Sequence, residues 1–211
     1  METLRFDVQE NNTVKIRSIG GDVRVTARPE MVFEARAPER GRMVAKQDGD
    51  LIELDSRSNC LIFVPEQCSL EIESVGGDAR VTGVQGETTL GTIGGDLTLR
   101  RVQRVSLERA GGDVDVRRAN EVATEWIGGY VLVERVSGHV TISGAGGDLS
   151  VRRCDASLQA AAGGDVRLET GWPAGSESNV QAGGDLLCQL EEQASAAVSM
   201  LAGGDLVVRG E

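Results

Sequence analysis

Aromatic residues and histidine are scarce in this chain of 211 residues, which has two Trp, one Tyr, three Phe and one His. A packed core therefore has to be built mainly from Val, Leu, Ile and Ala. The four cysteines form no Cys-x-x-Cys pair, which argues against a disulfide-stapled scaffold and against a zinc module. Free thiols in a reducing compartment are the expected state.

Long apolar runs are also absent. No stretch approaches the roughly 18 consecutive apolar residues of a membrane span, and the first residues lack the basic and apolar regions of a signal peptide. The formal net charge is -11, from 22 basic and 33 acidic residues, and such a surface repels phosphates. We therefore expect a cytoplasmic protein with no membrane span and no nucleic-acid partner, while association with the cell surface stays open.

The sequence has no motif of a known catalytic site. It contains neither Gly-x-Ser-x-Gly nor His-Glu-x-x-His nor Gly-x-x-x-x-Gly-Lys-Ser/Thr. The single histidine, His139, lies in a turn-like segment without a partner motif nearby. We expect a protein that is not an enzyme and that has no catalytic residues and no cofactor.

Glycine is abundant, and most of it belongs to a repeat. The tripeptide Gly-Gly-Asp begins at residues 20, 76, 94, 111, 146, 163, 183 and 203, and a degenerate copy, Gly128-Gly129-Tyr130, stands between the fourth and the fifth. From residue 76 onward the spacings are 18, 17, 17, 18, 17, 20 and 20 residues. These nine sites hold 18 of the 28 glycines. Such a near-constant period predicts a repeat architecture.

Short alternations of aliphatic and other residues follow the glycines, and period two places alternate residues on one face of a strand. Stacking the repeats gives a first inward column of Leu97, Val114, Val131, Leu149, Val166, Leu186 and Leu206. The second column is Leu99, Val116, Val133, Val151, Leu168, Cys188 and Val208, and the third is Val84, Val102, Ala119, Val136 and Cys154. The pattern predicts an all-β fold, a parallel β-solenoid (β-helix) with coils of 17–20 residues.

The first 75 residues are less regular, with candidate strands near residues 5–8, 14–19, 23–27, 31–37, 51–55, 61–64 and 70–73. They predict either degenerate coils or a short capping sheet, because an uncapped solenoid end exposes strand edges. No linker rich in Pro, Ser or Gly separates them from the regular coils at 76–211. We therefore predict one continuous domain over residues 1–211.

Three segments resemble a known family. They are Leu61-Ile62-Phe63-Val64-Pro65, then Leu70-Glu71-Ile72, then residues 76–87 with the sequence GGDARVTGVQGE. Together they resemble the putative-adhesin family of bacterial and archaeal β-solenoid domains, whose members run from a Val-Pro dipeptide into repeated Gly-Asp-aliphatic units. The resemblance covers most of the chain and implies a β-helical fold and a role without enzyme activity. It implies no particular ligand.

The repeated aspartates should occupy equivalent corners of successive coils. In the structural interpretation each carboxylate accepts a hydrogen bond from the backbone of its own turn. The alternative is weak cation binding, because stacked carboxylates repel one another unless a cation lies between them. The residues concerned are Asp22 and Asp205 at the ends of the column and, as the weak cation alternative, Asp78, Asp96, Asp113, Asp148, Asp165 and Asp185.

Arginine recurs six or seven positions after the first glycine, at Arg100-Arg101, Arg117-Arg118, Arg135 and Arg152-Arg153. This pattern predicts a basic stripe. We favour the interpretation that the stripe is a solvated corner that offsets nearby acidic residues, with its stems covering aliphatic surface. A docking surface for an acidic partner is the alternative.

The aromatic residues mark the exceptions in the repeat. Tyr130 replaces the corner aspartate, Trp126 lies four residues before it, and alternation places both side chains outward. Trp172, next to Pro173 in a 20-residue coil, is expected on a bulged loop. Exposed Trp and Tyr are enriched in contact sites. Trp126, Tyr130 and Trp172 are therefore the candidate ligand-binding residues, and a cluster that covers a defect in the stack is the other interpretation.

The C-terminal segment begins a coil at Gly203 and stops halfway, which leaves Leu206 and Val208 without a covering layer. These two residues form the candidate assembly end. The leading hypothesis is a non-enzymatic structural or interaction scaffold that assembles with itself or with another protein. The second hypothesis is a module that binds a polysaccharide or a cation.

Overall fold

The computed structural model describes residues 2–9, 12–38, 42–190 and 196–210. The described residues form β-strands joined by turns and bends, without a helix. Most strands stack in parallel, coil upon coil, into a β-solenoid. The predicted fold class is confirmed.

The N-terminal part contains the strands β1 Glu2–Asp7, β2 Thr13–Ile19, β3 Val23–Arg28, β4 Val32–Ala37, β5 Met43–Asp48, β6 Leu51–Ser56, β7 Cys60–Pro65 and β8 Ser69–Val75. The following strands are β9 Ala79–Thr82, β10 Glu87–Ile93, β11 Leu97–Arg100, β12 Arg104–Ala110, β13 Val114–Ile127, β14 Val131–Ala145 and β15 Leu149–Asp155. The last strands are β16 Ser157–Ala162, β17 Val166–Gly171, β18 Glu177–Ala182, β19 Leu186–Leu190, β20 Ala197–Ala202 and β21 Leu206–Gly210.

Each coil consists of a strand on a first face, a corner at Gly-Gly-Asp, a strand on a second face and a return corner. Along the solenoid the first face is built from β6, β2, β8, β10, β12, the second halves of β13 and β14, β16, β18 and β20. The second face is built from β7, β3, β9, β11, the first halves of β13 and β14, β15, β17, β19 and β21.

At the N-terminal end the stacking order departs from the chain order. The coil β2–β3 lies between β6–β7, which comes later in the chain, and β8–β9. Outside these coils β5 pairs antiparallel with β6, β4 pairs antiparallel with β7, and β1 pairs antiparallel with β4. The irregular segment thus contains coils as well as capping strands, and the capping strands cover edges that would otherwise be open. The sequence had not predicted β5.

The aliphatic columns form the core. Before the last coil, the members of the three columns are between 0% and 8% exposed, and facing members are register partners, as in Leu97–Val114. Burying one Val or Leu side chain contributes about 1.5–3 kcal/mol. The inward orientation that alternation predicted is confirmed for these residues.

All four cysteines are free and buried. Burial raises the pKa of the Cys68 thiol to about 12 and also raises the pKa values of Cys60, Cys154 and Cys188, because a thiolate is poorly solvated there. The thiolate is the reactive form. We expect no thiol to react with Ellman's reagent in the native protein and all four to react in denaturant. Rapid labelling of the native protein would contradict this prediction.

Candidate functional site

The first glycine of each corner lies against the backbone of the preceding coil. A Cβ atom added to Gly94 would lie 2.4 Å from the carbonyl oxygen of Gly76, and one added to Gly111 would lie 2.3 Å from that of Gly94. No side chain fits at such distances, so the close approach of successive coils requires glycine.

The aspartates form a hydrogen-bond ladder between coils. Except for Asp205 in the last coil, the Oδ1 atom of each aspartate accepts a hydrogen bond from the backbone N–H of the residue at the same place in the next coil. The N···O distances are 2.8–3.1 Å in the pairs Asp22–Asp78, Asp78–Asp96, Asp96–Asp113, Asp113–Tyr130, Asp148–Asp165, Asp165–Asp185 and Asp185–Asp205. The carboxylates therefore accept from the next coil, and the expectation that the donor lies in the same turn is wrong.

The second glycine of the corner is explained by this ladder. A Cβ atom on Gly112 would lie 2.1 Å from Oδ1 of Asp96, and one on Gly184 would lie 2.2 Å from Oδ1 of Asp165. The tripeptide Gly-Gly-Asp is therefore one device: two glycines allow the close approach, and the aspartate bonds the coils together.

Asn59 begins the ladder, although no Gly-Gly-Asp motif marks it in the sequence. Its Oδ1 accepts a hydrogen bond from the N–H of Asp22 at 3.0 Å. Arg57-Ser58-Asn59 occupies the corner of the coil β6–β7 and replaces every residue of the motif. Only the alternation in the strand that follows, Cys60-Leu61-Ile62, could have indicated this corner.

Tyr130 interrupts the ladder. It donates its own N–H to Asp113 at 2.8 Å, but its side chain offers no carboxylate to the next coil. Among the described residues, the N–H of Asp148 has no hydrogen-bond acceptor.

Trp126 and Tyr130 are 45% and 36% exposed, which confirms their predicted outward orientation. The Arg109 guanidinium lies 5.5 Å from the Trp126 ring centroid, in cation–π geometry.

The predicted exposure of Trp172 was wrong. Its side chain is 5% exposed and belongs to the hydrophobic core. The ring offers a large apolar surface in a core otherwise made mostly of aliphatic side chains, and burying that surface is favourable. Trp172 is therefore not brought together with Trp126 and Tyr130 on the surface.

The arginine stripe is interrupted by acidic residues. Glu134, whose side chain is 17% exposed, lies in the column between Arg117 and Arg152. It pairs with Arg153 at 3.3 Å and with Arg135 at 3.7 Å. These pairs agree with the interpretation of a solvated corner that offsets nearby acids.

The return corner also has an unusual backbone. Arg101, Arg118, Arg135 and Arg153 have φ angles between 51° and 64°, and Gly83 has a φ of 87° at the same place one coil earlier. Residues other than Gly, Asn and Asp are rare in this left-handed region of the backbone.

The last coil is exposed at its outer side. Leu206 is 49% exposed and Val208 is 50% exposed, whereas their register partners Leu186 and Cys188 are at most 1% exposed. Leu201 and Val207 are 63% and 40% exposed. No strand among the described residues pairs with the outer edges of β20 and β21. The two residues of the candidate assembly end thus lie on an open edge.

A recess of about 670 Å³ beside the ladder was not predicted. It is lined by Asp22, Asp78, Asp96, Arg24, Arg80 and Arg36, among others. Arg24 and Arg80 are register partners on the second face, and Arg36, at the end of β4, lies in the same row beyond Leu61 of β7. Only the antiparallel return of β4 brings Arg36 there, and no local pattern indicates that return.

Metal ligands do not converge in the described part of the chain: no three His, Cys, Asp or Glu side chains are placed to hold an ion. Weak cation binding by the aspartate column stays a prediction.

His139 lies on β14, exposed, with its ring hydrogen-bonded to Ser157. Within the described ranges there is also no helix with the length and apolar character to cross a bilayer.

Comparison with known proteins finds similarity among solved structures. The chain is similar to the crystal structure of a putative adhesin from Bacteroides fragilis, with 12% sequence identity, a TM-score of 0.45, and coverage of 100% of this chain and 96% of that chain. No family model matches the chain, and no curated protein matches it. The similarity concerns the fold alone.

Proposed function

We propose that the protein is a non-enzymatic interaction scaffold that associates with a second copy of itself through the open edge of β20 and β21. The observation that carries the proposal is the exposure of Leu206 and Val208, which continue two columns that are buried in the preceding coils.

Two physical terms favour covering this edge. Full burial of an exposed Leu or Val contributes about 1.5–3 kcal/mol per side chain. Among the described residues, no strand pairs with the backbone N–H and C=O groups of this edge, and such groups are a template for another strand.

A second copy fits the edge because a two-fold axis would bring an identical edge to it in antiparallel orientation. The opposite end of the solenoid is closed in this way within the chain, by β4 on β7 and β5 on β6. The general repulsion between two chains of charge -11 opposes the contact, so added salt should strengthen association by screening it.

The test is the molar mass by light scattering over a wide protein concentration range, at low and at high salt. We expect the mass to rise from 22.3 kDa towards that of a dimer, and the double variant Leu206→Arg/Val208→Arg to remain monomeric with an unchanged circular dichroism spectrum.

The matched control is Val44→Arg, because Val44 is 62% exposed on β5 at the other end. This variant should associate like the wild type. A wild type that is monomeric at every concentration overturns the proposal. A Val44→Arg variant that loses association indicates head-to-tail stacking and overturns the two-fold arrangement.

A further inference from the structure

We propose that the interrupted corner at Gly128-Gly129-Tyr130 binds a neutral saccharide. In this site a sugar oxygen accepts the hydrogen bond from the N–H of Asp148, and a sugar ring packs on the exposed aromatic side chains. The proposal is independent of association through β20 and β21.

The first support is the local geometry of the missing ladder bond. In the regular coils, a Cβ atom built on the second glycine would meet an aspartate Oδ1 at about 2.2 Å, as it does at Gly164. At Gly147, which follows Tyr130 in the stack, the three nearest atoms are all backbone atoms, at 2.8–3.2 Å. The Tyr130 side chain is therefore turned away from the place of the carboxylate oxygen, and the Asp148 N–H faces a place that a ligand oxygen can take.

The second support is a recess on the same side of the corner. It has a volume of about 320 Å³, within the usual range of ligand pockets of roughly 300–1,000 Å³, and is lined by Tyr130, Asp148, Ser150, Arg152, Asp165 and Arg167, among others. Ser150 is only 3% exposed, and its hydroxyl has no hydrogen-bond partner among the described residues. Buried polar groups without partners are uncommon in folded proteins.

The aromatic residues flank this corner on both sides. Tyr130 lines the recess, and Trp126 lies on the first face with its Cη2 atom 3.1 Å from the place of a Cβ on Gly128. Apolar ring faces next to a few polar groups are the usual composition of a small-molecule site.

The charges at the corner select a neutral ligand. The recess is lined by the three carboxylates of Asp148, Asp165 and Asp185 and by the two guanidinium groups of Arg152 and Arg167. These charges nearly cancel, and the net charge of -11 on the chain tips the balance against an anion. Sugar hydroxyl groups can accept from the N–H and donate to the carboxylate oxygens at the same time. A neutral polyhydroxylated ring therefore satisfies both kinds of group.

The experiment is a titration of the full chain with neutral oligosaccharides, namely cellohexaose, laminarihexaose, maltohexaose, mannohexaose and xylohexaose, followed by calorimetry and by tryptophan fluorescence. We expect at least one of them to bind and to change the emission of Trp126. The variant Tyr130→Phe keeps the ring and the missing ladder bond, so its affinity should stay close to that of the wild type.

The decisive variant is Tyr130→Asp, because it restores the ladder and removes the ring. We expect its affinity to fall by at least about tenfold, while its midpoint of thermal unfolding rises by about 2–4 °C. The rise in the unfolding midpoint distinguishes a variant with a restored ladder from one that binds weakly because its fold is damaged. The proposal is overturned if no saccharide of the panel binds at millimolar concentration, or if Tyr130→Asp is more stable and still binds as tightly as the wild type.

Discussion

Alanine at Gly111 is expected to lower the free energy of unfolding by about 3 kcal/mol or more. The added Cβ would lie 2.3 Å from the carbonyl oxygen of Gly94 and 3.2 Å from its carbon. These are backbone atoms of the neighbouring coil, so they can move only if the coils separate and the parallel hydrogen bonds beside the corner lengthen. Chemical denaturation followed by circular dichroism measures the loss.

The chain offers a matched control in Gly144. A Cβ atom there would meet its nearest neighbours at 3.7 and 3.8 Å, which is ordinary van der Waals contact. Gly144→Ala should leave the stability unchanged or raise it by up to about 1 kcal/mol, because alanine restricts the unfolded chain more than glycine does. Equal effects of the two substitutions would show that the corner does not depend on the close approach of the coils.

The regular coils could be predicted because their determinants are local and repeated. The alternation around Leu97 and Val114 sets the inward columns, and the glycine spacing sets the coil length. The role of the aspartates could be predicted only in part. A carboxylate that follows two glycines indicates a corner, but the sequence does not show that Asp96 serves the N–H of Asp113, 17 residues later.

The N-terminal coils show why the remainder of the fold could not be predicted. Asn59 takes the role of a corner aspartate, yet it follows Arg57-Ser58, so the motif is absent where the coil is present. The coil β2–β3 has as neighbours β6–β7 and β8–β9. Its stacking contacts are therefore non-local, and no spacing along the chain reveals that a later coil is placed before an earlier one.

The residues of the candidate site show the same difference between local and non-local determinants. The outward orientation of Trp126 and Tyr130 follows from alternation, which is local. Trp172 lies on the loop between β17 and β18, as the neighbouring Pro173 predicts. Its burial, however, depends on how a 20-residue coil closes over the core, which is not local. The unpaired N–H of Asp148 becomes visible only when the ladder is known to join successive coils.

Replacing two buried threonines by valine is expected to stabilise the protein. Thr88 and Thr124 are 0% and 4% exposed, and their hydroxyl groups have no hydrogen-bond partner among the described residues. In register, Thr88 lies between Leu70 and Val105. A buried hydroxyl without a partner costs about 1–3 kcal/mol, and valine has nearly the same shape.

We expect Thr88→Val and Thr124→Val each to raise the free energy of unfolding by about 1 kcal/mol or more, and the double variant to show roughly the sum if the two sites are independent. Guanidinium denaturation with an unchanged slope measures this gain. The control is Thr89→Val, because Thr89 is the exposed neighbour on the same strand and its substitution should change stability by less than about 0.5 kcal/mol. A loss of stability in Thr88→Val would contradict the prediction. It would mean that the Thr88 hydroxyl is hydrogen-bonded in solution, so that the stacked residues Leu70, Thr88 and Val105 depend on a polar contact as well as on aliphatic packing.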